Sequence, residues 1–203
     1  MNHRLLFFPI ALTLAASHAT ADGDPEIGRA KAALCGACHG TDGNSAAPIF
    51  PKLAGQQASY IEKQITEFHS GFRKDPVMSA QVATVALDDV PHIAAYFASQ
   101  KIQHSESKPD MAEVAAIGER LYRGGNPVSH VPACSGCHGP QGAGNSAAKI
   151  PRIGGQSPEY VTKALKDFHS GTRINDPNGM MRGATARLAD DEIAALSQYI
   201  QGL

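Results

Sequence analysis

Tryptophan is missing from this chain, and aromatic residues of all kinds make up only 6% of its 203 residues. A core built from these side chains is short of large fillers, so an apolar group of another kind is expected inside it. Charge of one sign is missing too, with 18 Lys and Arg against 19 Asp and Glu. Residues 22–104 carry a formal −2 and residues 105–203 carry 0, a balance that argues against a nucleic-acid-binding surface. No stretch shows the sustained alternation of a strand. The apolar run from Leu5 to Ala16 is too short to cross a bilayer. Cysteine is scarce, with four in all.

Those four cysteines fall in two pentapeptides, Cys35-Gly-Ala-Cys38-His39 and Cys134-Ser-Gly-Cys137-His138. CxxCH is the attachment signature of a c-type haem. Two thiols on one short turn can each form a thioether to a haem vinyl group, and the adjacent imidazole reaches the iron from the proximal side. A disulfide framework gives no reason for a histidine after each second cysteine. A four-cysteine zinc site would need both pairs at one place, yet each lies in its own copy of a repeat. A thioredoxin-like motif has no βαβ context here. Two covalently bound haem c groups are therefore expected, on Cys35 and Cys38 and on Cys134 and Cys137, with His39 and His138 as iron ligands.

The start of the chain sets the expected compartment. A basic beginning (Met1 to Arg4), the short apolar run and Ala19-Thr20-Ala21 read as a signal peptide over residues 1–21, cleaved near Ala21. The mature protein is then expected in the periplasm, with no transmembrane anchor.

Beyond that point the chain repeats itself. Ile49-Phe-Pro-Lys-Leu-Ala-Gly-Gln56 echoes Ile150-Pro-Arg-Ile-Gly-Gly-Gln156, and Glu67-Phe-His-Ser-Gly-Phe-Arg73 echoes Asp167-Phe-His-Ser-Gly-Thr-Arg173. The offset is 99 at the CxxCH motifs, 100 across these blocks and 103 from the methionines onward, so loops vary between fixed elements. Two domains are expected, over 22–100 and 111–203, joined by a polar linker over 101–110.

Each half reads as helical. Asp24-Pro25 caps and opens a helix running into Cys35. Ser59 opens a second, with Ile61, Ile65 and Phe68 on one face and Gly71 as its stop. Asp88-Asp89 precede a third, with Val90, Ile93 and Phe97 in a stripe. The second half offers Val114, Ile117 and Leu121, then Val161, Leu165 and Phe168 after Ser157-Pro158, then Ile193, Leu196 and Ile200 after Asp190.

A haem bound through CxxCH needs a distal partner or an open position. Met78 is the only methionine between Cys38 and the linker. Met180 and Met181 both qualify in the second half, and the repeat register decides. Met181 precedes Tyr199 by 18 residues, as Met78 precedes Tyr96, so Met78 and Met181 are the expected iron ligands. His69 and His169 compete from equivalent positions, but each sits at a helix end beside a core-facing phenylalanine and is expected to face solvent. His92, His104 and His130 have no repeat partner and read as surface histidines. Gln56, Gln156, Tyr60 and Tyr160 recur in both copies, and two readings stand for them: contacts to haem propionates, or residues that simply begin a helix.

CGACHG and CSGCHG, FPKLAGQ and IPRIGGQ, NDPNGMMRG, IAAYFASQK and SQYIQGL together resemble the dihaem cytochrome c4 family over nearly all of the chain beyond residue 21. The resemblance implies an all-α fold of two tandem class-I cytochrome c domains, each a small helical bundle around one covalently bound haem. It implies His/Met ligation, a pseudo-twofold axis, and Pro51 and Pro151 as the carbonyls that orient the two imidazoles. It also implies electron donation to a membrane-bound terminal oxidase of the respiratory chain, with redox proteins as donor and acceptor and no catalytic residues. The alternative function is the dihaem electron-accepting subunit of a periplasmic dehydrogenase, such as flavocytochrome sulfide dehydrogenase. A catalytic cytochrome would need an open iron position or a spare cysteine, and the chain offers neither.

Overall fold

Asp24 starts the first helix as its charge and length allow: its carboxylate accepts the Glu26 and Ile27 N–H groups at 2.8 and 3.4 Å, and Pro25 takes the first helical position. The computed structural model describes residues 23–104 and 109–203. The expected signal peptide with its cleavage site, and residues 105–108 of the expected linker, lie outside the described residues.

The first half contains α1 (Pro25–Lys31), α2 (Ala33–His39), α3 (Ala58–His69), α4 (Pro76–Val82) and α5 (Val90–Ser99). The second repeats the plan with α6 (Ala112–Gly124), α7 (Ser135–His138), α8 (Pro158–His169), α9 (Met180–Thr185) and α10 (Asp190–Gly202). Single 3-10 turns precede α5, α6 and α9. Among the described residues there is no strand, only the isolated bridges Asn126–Val131 and Asn145–Ile150. The all-α expectation holds.

In each half the first helix crosses the last at a glycine. A Cβ on Gly28 would lie 1.9 Å from the His92 carbonyl oxygen, and one on Gly118 would lie 2.0 Å from that of Ala195. Neither approach leaves room for a side chain. Each half then builds its own core, Ile61, Phe68, Ile93 and Phe97 in the first and Tyr122, Val161, Leu196 and Ile200 in the second.

Several sequence expectations change here. The first helix does not run unbroken into Cys35: it ends at Lys31 with Ala32 as its cap, and α2 begins afresh at Ala33. In the second half the corresponding step is a loop, because Gly28 lies 7 residues before Cys35 but Gly118 lies 16 before Cys134. The added residues form the turn closed by the Asn126–Val131 bridge. The second helix starts at Ala58 rather than Ser59, whose hydroxyl instead reaches the Ser146 carbonyl at 3.0 Å. Ile117 is 45% exposed, and Gly118, Leu121 and Tyr122 take the buried stripe of α6. Half-buried His92 also has work to do, accepting the Asp24 N–H on Nδ1 at 2.9 Å and so tying the start of α1 to α5.

Candidate haem sites

Both CxxCH motifs wind into a helical turn that ends at a glycine with positive φ, Gly40 at 81° and Gly139 at 79°. Only a residue free of a Cβ turns the chain there without strain, and the histidine just before it is driven inward. His39 and His138 are both buried. His39 Nδ1 lies 2.8 Å from the Pro51 carbonyl oxygen, and His138 Nδ1 lies 3.0 Å from that of Pro151. A carbonyl only accepts, so each Nδ1 carries the proton and each Nε2 presents a lone pair. His39 Nε2 is buried with no protein partner. Burial pushes both imidazoles below their ordinary pKa, against a smaller upward pull from the proline carbonyls, so both rings are neutral donors.

The eight residues singled out from the sequence all line one largely apolar cavity of about 780 Å³ that runs through both halves. Cys35, Cys38, His39 and Met78 stand on the first side, and Cys134, Cys137, His138 and Met181 on the second. The Asp75 carboxylate caps α4 by accepting the Val77 and Met78 N–H groups at 3.0 and 3.1 Å, which fixes Met78 in a first turn rather than in a loop. Asp176 accepts the backbone N–H and Nε of Arg182 at 2.9 and 2.8 Å and anchors α9 around Met181. Met180 is 50% exposed, whereas Met181 is half-buried. His69 and His169 are exposed and absent from the cavity wall. His169 still binds through Nδ1 to the Thr185 carbonyl at 2.7 Å, holding the end of α9 against α8.

The cavity is shared because the halves dock by a reciprocal clasp. Gln156 Oε1 accepts the Lys52 N–H at 2.9 Å while its Nε2 donates to the Lys52 carbonyl at 3.0 Å. Gln56 does the same to Arg152, at 2.9 and 2.8 Å. The tyrosines follow suit: Arg173 Nη2 donates to Tyr60 at 2.8 Å and Arg73 Nη2 to Tyr160 at 3.3 Å. Gln64 Oε1 gathers Arg73, Arg173 and Asn175 at 2.6, 3.1 and 2.9 Å, leaving its buried Nε2 without a protein partner. Burial pushes the Tyr160 phenol up, but the two guanidiniums outweigh it and bring its pKa down to about 8. All four stand at the start of α3 or α8 and line the cavity, and they have a further role that neither reading included: they join one half to the other. Their recurrence was the available signal, but it marks equivalent positions and does not say that one copy faces the other.

The donor set fits two c-type haems. Each side of the cavity brings a thiol pair, a neutral imidazole held with Nε2 free of its carbonyl partner, and a thioether, all set in an apolar wall.

Comparison with known proteins agrees. The family model for cytochrome c matches residues 26–116 and again residues 115–203. The chain is 51% identical over 183 residues to a cytochrome c4 of Thiocapsa roseopersicina, covering 89% of this chain and 93% of that one. It superimposes on the crystal structure of reduced recombinant cytochrome c4 from Pseudomonas stutzeri with a TM-score of 0.85, at 46% identity, over 89% of this chain and 99% of that one. It is also 34% identical, over 200 residues, to a thiosulfate dehydrogenase electron acceptor of Stutzerimonas stutzeri, covering 93% of this chain and 89% of that one.

Proposed function

Since the chain belongs to the cytochrome c family, as a cytochrome c4-type carrier of electrons on two covalently bound haem c groups, we propose a role for each residue at the two sites. Cys35 and Cys38 hold one haem and Cys134 and Cys137 the other. His39 and Met78 ligate the first iron, and His138 and Met181 the second. The two domains span 22–100 and 111–203, with 101–110 between them.

The haem iron supplies a one-electron Fe(III)/Fe(II) couple when bound. The rest is the work of this chain. Pro51 and Pro151 fix the imidazoles and strengthen them as donors. Met78 and Met181, soft ligands, favour the reduced state, and the apolar walls that keep water out act in the same direction. Each ligand is rooted in a short helix, so its position need not change between oxidation states and reorganisation stays small. Gln64 Nε2, buried beside the cavity, offers a donor for a haem carboxylate.

With a histidine and a methionine to hold each haem iron, the protein would carry electrons rather than catalyse a reaction of its own. Its proposed place is the periplasm, after removal of residues 1–21, between a redox donor and a membrane-bound terminal oxidase. The observation that carries this reading is that each half brings a buried histidine and a methionine to the shared cavity, Met78 in the first and, in the second, Met181, which is less exposed than its neighbour Met180. The test is to mix the fully reduced protein with membranes containing the oxidase. Rapid, cyanide-sensitive reoxidation of both haems is expected, and reduced protein left standing would end the reading.

A second reading has its own support in the similarity to a thiosulfate dehydrogenase electron acceptor. In that case the protein takes electrons from a periplasmic dehydrogenase as its acceptor subunit. Stable copurification with such an enzyme would favour this assignment over the first.

A further inference from the structure

The peptide bond that meets each axial histidine also meets a glutamine from the opposite half. The Pro51 carbonyl lies against His39 Nδ1, while the N–H of that same peptide unit, on Lys52, donates to Gln156 Oε1 at 2.9 Å. The Pro151–Arg152 peptide is held in the same way between His138 and Gln56. Both glutamines are buried, and each Oε1 is pinned a second time by the N–H of the residue after it, at 3.0 Å on Ser157 and 3.1 Å on Gln57.

We propose that Gln156 and Gln56 are cross-domain positioning residues, each setting the donor strength of the axial histidine in the other domain. Hydrogen bonds in series polarise one another, and more so where water is excluded. An N–H that donates to Gln156 makes the carbonyl of its own peptide a stronger acceptor. That carbonyl draws harder on the His39 Nδ1 proton, and the ring becomes a stronger donor at Nε2. A stronger imidazole donor favours the oxidised iron. Gln156 therefore lowers the potential of the first haem, and Gln56 that of the second. The inference rests on the ligand assignment proposed above.

Gln156→Met and Gln56→Met keep the side-chain length and remove the acceptor, and each takes away two hydrogen bonds across the docked surface. Redox titration of each holoprotein is paired with proton NMR of the histidine Nδ1–H in the reduced state. Gln156→Met is expected to raise the potential of the first haem only and to move the His39 Nδ1 proton upfield. Gln56→Met is expected to do the same to the second haem and His138 only. Each variant tests the proposal alone. Equal movement of both potentials in both variants would mean a loosened interface and overturn it, as would unmoved Nδ1 protons. The parent protein is measured first: if it lacks two His-ligated low-spin haems, the ligand assignment itself fails, whereas a sound parent with unresponsive variants sinks only the role of the glutamines.

Discussion

A Cys134→Ser, Cys137→Ser protein is expected to carry one haem and to lose roughly half of its helical circular dichroism, because a small domain emptied of its central apolar group cannot bury enough surface to fold. The second core has no tryptophan, and Val161, Leu188, Leu196 and Ile200 both belong to it and face the cavity. A whole domain is stable by only about 5–15 kcal/mol. Losing the apolar contacts that these residues would make with the group between them therefore removes a large part of a half's stability. The serine variant at Cys35 and Cys38 is expected to behave as its mirror image. Helical signal close to the parent's, with one haem missing, would show that the chain alone fills its cores.

Met181→His is expected to lower one potential step by tenths of a volt, within the roughly 0.8 V that axial ligands span, and to leave the other step in place. Imidazole is a harder donor than a thioether and favours the oxidised iron. Met78→His is expected to move the other step. The structure gives the reason for independence: Met78 sits in α4 behind the Asp75 cap and Met181 in α9 behind the Asp176–Arg182 pair, with no hydrogen bond shared between them. Spectroelectrochemical titration resolves the steps. If both moved equally in each variant, the two ligands would not belong to separate sites.

How far the sequence carries depends on the range of the interaction. The faces of α3, α5, α8 and α10 were legible because helix periodicity is local, and Ile61, Phe68, Ile93, Phe97, Val161 and Ile200 are buried as their spacing requires. The CxxCH motifs are local too. The methionines needed the repeat, which aligns Met181 with Met78 by counting from Tyr199 and Tyr96. Where α1 ends was not legible, because Ala32 is as good a helix former as its neighbours. Ile117 misled for a related reason: the close crossing at Gly118 turns the buried face of α6 by one position.

The least legible part is the interface. Gln156 and Lys52 are 104 residues apart, as are many pairs in the chain that never meet. A tandem repeat says that Gln56 and Gln156 occupy the same place in two copies. Only the docked structure says that each copy reaches into the other. The tethering contacts of His92 and His169 were not legible either, since a histidine in a helical stretch has no pattern that distinguishes a tether from a surface residue.

The central claim is that each half closes a haem between one histidine and one methionine. The optical spectrum of the oxidised protein, produced in a host that attaches c-type haem, tests it most directly. The weak red charge-transfer band of methionine-bound ferric haem, scaled to haem content, is expected at full strength for two haems with no high-spin signal. Half the strength, or a high-spin band, would mean that one iron is open or otherwise ligated, and would contradict the account.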